Sequence, residues 1–211
     1  MTAVPQLRIE DLDQFKHFGL DSNYQGDTRR FYSPWDDAHP VIMAVLREVR
    51  SSLILSMFGL TDVEAVESMD AALKNPDIYT QITLDSSQAG GVTERALLAQ
   101  YRSDDVGNSV AIGRSEKGEI IHRKMLIVNG VWLLTGSTNW SLNGEQKQDN
   151  ELTVTYNAVA CAEARHILDL SHTKALKDMA AKVAKVAAAG GSVPPMAARP
   201  EAFTDLVNPH G

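Results

Sequence analysis

The sequence predicts an α/β fold: a mixed, mostly parallel central sheet with helices on both of its faces. Three observations carry this. Short β-branched and apolar runs alternate along the chain with helix-length segments, and such alternation builds a layered sheet. Residues 52–58 have a continuous apolar character, as in a strand covered on both sides. Asn129-Gly130 separates two apolar runs, and this pair is the strongest short hairpin signal, because a type I′ turn needs positive φ at both central residues.

The elements follow in order. Residues 1–25 are acidic, with Leu7, Ile9, Leu12 and Phe15 loosely at helical spacing, so a short helix or an extended arm is expected to pack on the core or on a partner. Phe31-Tyr32 reads as a short strand, and 37–49 as a helix that tolerates Pro40 in its first turn. After strand 52–58, Thr61-Asp62-Val63-Glu64 has the form of a capping box opening a helix to about Lys74. Pro76 lies just beyond it, and 78–84 is the next strand. Its following loop, Asp85 to Gly91, lies where α/β sheets commonly bind ligands. Thr93 caps a helix to about Tyr101. The hairpin 125–128 and 131–135 comes next, then strand 151–156 and a long Ala/Lys-rich helix ending before Gly190-Gly191. The chain is thus expected to divide into an arm (1–25), a domain (26–189) and a flexible Pro/Ala tail (190–211).

Composition bounds the function. At 211 residues, one good-sized domain plus appendages is expected. No apolar run is long enough to span a bilayer, and the first residues lack a basic start followed by an apolar core, so no secretory signal is expected. A single cysteine, Cys161, excludes an internal disulfide framework and suits a reducing, cytoplasmic setting. The net charge of −7 argues against tight, nonspecific hold on a polyphosphate backbone. No Cys/His cluster has zinc-ligand spacing, so no metal and no cofactor is expected.

The chemistry concentrates in one segment, IHRKMLIVNGVWLLTGSTNWS, residues 121–141. In an extended chain, positions two apart share a face, so His122 and Lys124 point the same way and Arg123 points away. The second hairpin strand runs into Gly136-Ser137, where the Ser137 hydroxyl and the Asn139 amide can reach over the strand ends. An imidazole, an ammonium, a hydroxyl and an amide converging in this way suit a phosphoryl group without a metal. By contrast His172-Thr173-Lys174 repeats the letters on an expected helix, where positions two apart diverge. His17, His39, His166 and His210 have no motif around them.

This segment resembles the signature of the phospholipase D superfamily: HxK, four residues, Asp, six residues, GSxN. His122, Lys124, Gly136, Ser137 and Asn139 keep that spacing, and Trp140-Ser141 also fits. Asn129 stands where the family usually has Asp. The resemblance extends from about Arg30 to Tyr156 and is strongest to the small single-motif members, which include bacterial endonucleases.

The resemblance implies a phospholipase D-like fold and a metal-independent phosphodiesterase acting on nucleic acid or phospholipid. Catalytic residues would be His122, Lys124, Ser137, Asn139 and Glu151, with Lys124, Ser137, Asn139 and Ser141 binding substrate. Glu151 would hold the second ring nitrogen of His122, with Glu145 and Asp149 as rivals for that role. The family's chemistry uses two histidines, one forming a phosphohistidine and the other protonating the leaving oxygen. One competent histidine per chain therefore implies a homodimer with the site on its two-fold axis. The alternative, for which only Asn129 speaks, is a noncatalytic dimeric binding module that keeps the fold.

Overall fold

The structure, a computed structural model, describes residues 6–17, 26–88 and 110–189. After a 3₁₀ helix (Ile9–Phe15) come β1 (Thr28–Ser33), α1 (Ala38–Leu46), β2 (Ser52–Met57), α2 (Val63–Leu73), β3 (Tyr79–Asp85) and β4 (Val110–Gly113). There follow β5 (Lys124–Val128), β6 (Trp132–Gly136), α3 (Leu142–Gln146), β7 (Asn150–Tyr156) and α4 (Ala158–Ala188). Among the described residues the strands form one seven-stranded sheet in the order β1-β7-β6-β5-β2-β3-β4. The class is the expected one, α/β with helices on both faces.

Parallel pairing, however, is the minority. Only β2 with β3 and β3 with β4 run parallel. The pairs β2–β5, β5–β6, β6–β7 and β7–β1 are antiparallel, which corrects the expectation of a mostly parallel sheet. The reason lies in the connections: a two-residue turn can only reverse the chain, and parallel neighbours need a crossover. The β5–β6 turn is Asn129-Gly130, with φ of 53° and 68°, as a type I′ turn demands.

The two faces are covered differently. Strands β2, β5, β6 and β7 turn Leu53, Leu55, Met57, Leu126, Leu134 and Val154 toward one side. There they join α1, α2 and the 3₁₀ helix in the main core. Ile54 and Ile127 face the other side, against Cys161, Ala164 and Leu168 of α4. The buried positions of α4 are Cys161, Ala164, Leu168, His172, Ala175, Leu176 and Met179, and apart from the adjacent Ala175-Leu176 they recur every three or four residues, the spacing of one helical stripe. Its 31 residues would reach across a bilayer in length. Yet among the described residues no helix is long and apolar enough to cross a membrane.

Some local expectations shift. The cap of α2 is Asp62, whose carboxylate accepts from the backbone N–H groups of Glu64 and Ala65, and not Thr61; the helix begins at Val63, which puts Asp62 next to the free amides of its first turn. Strand β4 and helix α3 carry no sequence expectation, being four and five residues long. The helix expected from Thr93 lies outside the described residues. Asn157 caps α4, accepting from Val159 and Ala160 N–H through Oδ1.

Candidate active site

One end of the sheet gathers the motif. Lys124 opens β5 opposite Met57, the last residue of β2, and Gly136 closes β6 opposite Leu152 of β7. The loop that leaves β2 joins the two halves of the motif. The Phe58 ring packs at a tilt against the His122 ring, centroids 5.0 Å apart, and Lys124 Nζ sits 4.8 Å over the Phe58 ring. Gly59 lies beside Asn139 so closely that a Cβ there would be 3.2 Å from Asn139 Cγ. This loop and the one after β6 run side by side: Trp140 N–H donates to Gly59 O at 3.1 Å, and Thr61 N–H to Trp140 O at 2.8 Å.

His122 is exposed, in the irregular stretch just before β5. The adjacent Arg123 does point away, its guanidinium donating to Ser171 on α4 at 3.1 Å. Asp85, at the end of β3 and fully buried, accepts the Ile121 N–H at 2.5 Å and the Ser87 N–H at 2.8 Å. It thereby fixes the approach of the chain to His122.

Lys124 is the electrostatic centre. Its side chain is buried, Nζ donates to His122 O at 3.0 Å, and burial pulls its pKa below the ordinary lysine value. Among the described residues no carboxylate pairs with it. A buried ammonium without a carboxylate is costly, and an incoming anion would remove that cost.

Gly136 makes the strand-to-loop step possible. Its φ is 150°, and a Cβ at this position would come 2.0 Å from Glu151 O, so no side chain fits. Next to it, Ser137 Oγ donates to Asn150 Oδ1 at 2.9 Å and accepts from Glu151 N–H at 3.0 Å, which leaves one lone pair. Asn139 Oδ1 is buried and has no hydrogen-bond partner among the described residues. Ser141 accepts from Gly144 N–H as the cap of α3, so its hydroxyl is used by the fold.

Glu151 is not brought to His122 within the chain. Its carboxylate accepts from Thr153 Oγ1 at 2.7 Å and lies 3.7 Å from Arg30 Nε. The strand period explains why. Thr153 is opposite Thr135, which is opposite Met125, so Glu151 shares the Met125 face, and Lys124 occupies the other. Its rival Glu145 is buried on α3 beside His39 and Asp62. Burial, followed by the Asp62 charge, raises its pKa to about 7. His172, from the discounted helical repeat, is buried against Thr83.

An α/β sheet whose strand ends carry a histidine–lysine pair beside a Gly-Ser-x-Asn loop defines a phospholipase D-like domain. The chain belongs to that family: the family model for the cardiolipin synthase, PLD-like domain matches residues 42–170. Among solved structures it is similar to Nuc, a phospholipase D family member from Salmonella typhimurium. The TM-score is 0.58 at 20% identity, covering 67% of this chain and 91% of that one. It is also similar to NucT from Helicobacter pylori, with a TM-score of 0.54 at 16% identity, covering 71% and 95%. Phosphatidylserine synthase from Haemophilus influenzae Rd KW20 gives 0.54 at 12% identity, covering 77% and 44%. At these identities the likeness is one of fold. No curated protein matches the sequence.

Proposed function

We propose that this protein is a metal-independent phosphodiesterase that works through a phosphohistidine on His122. The observation that supports this best is the buried Lys124 ammonium, held with His122 against the Phe58 ring and, among the described residues, without an acid to neutralise it. A phosphodiester brings the missing negative charge. His122 attacks phosphorus, the P–O bond to the leaving group breaks, and the leaving oxygen takes a proton from a second imidazole. Water then attacks the phosphohistidine and gives a proton to that second imidazole, the P–N bond breaks, and both histidines return to their starting states. Lys124, the Asn139 amide and Ser137 hold the charge that develops on the phosphoryl oxygens.

The second imidazole comes from a second copy of the chain. The site end of the sheet carries exposed apolar side chains that a partner would cover, with Trp35 at 53% and Leu142 at 59% exposure. Two copies facing there would set His122 against the partner subunit's His122, one neutral and one protonated at the moment of attack. The structural role of Asn129 in the turn supports the catalytic reading over the noncatalytic alternative. Nucleic acid and phospholipid remain the two substrate classes that share this chemistry.

Turnover of bis(p-nitrophenyl) phosphate tests the reading. His122→Ala abolishes it in a protein that remains folded and dimeric, whereas activity retained in that variant overturns the assignment. Chelation by EDTA leaves turnover by folded protein unchanged. Parallel assays on plasmid DNA, RNA and phosphatidylcholine then assign the substrate.

A further inference from the structure

Behind the motif, three helices bring together side chains that the sequence keeps far apart. His39 lies in the first turn of α1, Asp62 caps α2, and Glu145 sits on α3. His39 Nδ1 is 2.7 Å from Glu145 Oε2 and 3.0 Å from Asp62 Oδ2. One potential ligand atom from each residue lies within 4.8 Å of the other two. On the far side of the ring, Nε2 is 3.0 Å from Glu64 Oε2, and Arg47 reaches the other oxygen of Glu64 at 3.9 Å.

The protein's own groups leave this cluster incomplete. Glu145 is 2% exposed, its carboxylate is aimed at the ring, and Oε1 has no hydrogen-bond partner among the described residues. Asp62 Oδ2 is likewise buried and without a donor, since the single hydrogen on Nδ1 cannot serve two carboxylates. Two acids thus converge on one imidazole nitrogen and on each other, each with a buried oxygen that no other protein group among the described residues reaches, so that a shared proton or a cation must lie between them. Buried carboxylates are expected to be paired or to hold a metal.

We propose that His39, Asp62 and Glu145 form a binding site for a divalent first-row cation, of the zinc or manganese type. One nitrogen and two carboxylates suit such ions. Bonds of about 2.0–2.2 Å place tetrahedral ligand atoms roughly 3.3 Å apart, so the cluster needs to open by only a few tenths of an ångström. On binding, the cation takes the Nδ1 lone pair and the Nδ1 proton is released to solvent, while Nε2–H stays on Glu64. That carboxylate–histidine–metal relay fixes the ring and its tautomer. The ion would tie α1, α2 and α3 together, and α3 starts three residues after Asn139, so its role is to brace the motif loop. The site stands apart from the phosphodiesterase chemistry and does not depend on it.

The test uses the full chain, stripped with EDTA and dialysed free of chelator. Zinc, manganese and cobalt are titrated separately by calorimetry, thermal unfolding is followed with each, and the histidine ring nitrogens are observed by NMR. A single saturable site is expected, with a raised Tm and unaltered bis(p-nitrophenyl) phosphate turnover below the unfolding range. The His39 Nδ1 resonance moves and its Nε2 stays protonated. His39→Ala and Glu145→Gln weaken binding at least about a hundredfold, and Glu64→Gln by about ten- to a hundredfold. The nitrogen resonances of the unmodified chain decide the matter even if a variant fails to fold. An absence of saturable binding by all three ions, or binding that moves a different histidine, would show a proton-filled network and overturn the proposal.

Discussion

The Asn129 side chain donates from Nδ2 to the carbonyl of Glu48 across 2.6 Å. Its Oδ1 meanwhile accepts the backbone N–H groups of Arg50 at 2.9 Å and Ser51 at 3.0 Å. One carboxamide therefore closes the segment between α1 and β2 onto the β5–β6 turn. A carboxylate at this position could accept from the two amides but could not donate to Glu48. Asn129→Asp, the change toward the family's usual residue, is thus expected to destabilise the protein, by about 1–3 kcal/mol, because two oxygens would face each other. Denaturant unfolding at pH 7 measures this; a variant equal to or more stable than the parent would contradict it.

In the proposed function, Lys124 trades stability for anion affinity. Its ammonium is buried, donates only to a carbonyl and lies over Phe58. Lys124→Met keeps the length and apolar stem and removes the buried charge. It should raise unfolding stability by about 1 kcal/mol while lowering phosphodiester turnover by roughly 10²–10³-fold. Vanadate, a phosphate mimic, should raise the Tm of the parent and leave that of the variant unchanged. A variant that loses stability and keeps turnover would remove Lys124 from the site.

How much of this was readable beforehand depends on how local each feature is. The β5–β6 hairpin was legible because Asn-Gly and the flanking apolar runs encode it within a dozen residues. The common direction of His122 and Lys124 follows from the period of an extended chain. The direction of β7 relative to the rest was not legible, because it depends on strand order. That order decides why Glu151 lands on the Met125 face. Phe58 and Gly59, which join the two halves of the motif, bear no local mark beyond following a strand. Asp85 lay in a loop flagged only for its position in the fold. His39 and Glu145 stand 106 positions apart, so no spacing rule could pair them.

The placement of Glu151 has a kinetic consequence. Its carboxylate is engaged by Thr153 and Arg30 on the face away from Lys124. Glu151→Gln keeps an oxygen for the Thr153 hydroxyl and loses only an exposed ion pair, worth about 0–1 kcal/mol. Turnover of bis(p-nitrophenyl) phosphate should change less than about twofold, with an unaltered pH profile. A loss of a hundredfold or more would mean that this carboxylate does orient the histidine.

Acid sensitivity should come in part from His172. The ring is buried on α4 with Nδ1 2.8 Å from the Thr83 hydroxyl. Burial, opposed by Asp169 and reinforced by Arg165, lowers its pKa from 6.5 to about 4. The fold thus holds the ring neutral where the unfolded chain would protonate it, so the unfolded state binds the extra proton between those two values. The stabilising contribution is fully present above pH 6.5 and fades as pH falls toward 4. At about 1.4 kcal/mol per pKa unit, the swing approaches about 3 kcal/mol. His172→Asn keeps a polar group facing Thr83 and cannot titrate. The stability difference between parent and variant, measured by urea unfolding from pH 7.5 to 4, should therefore shift in favour of the variant as pH falls. A difference that stays constant over that range would mean His172 carries its proton equally well in both states.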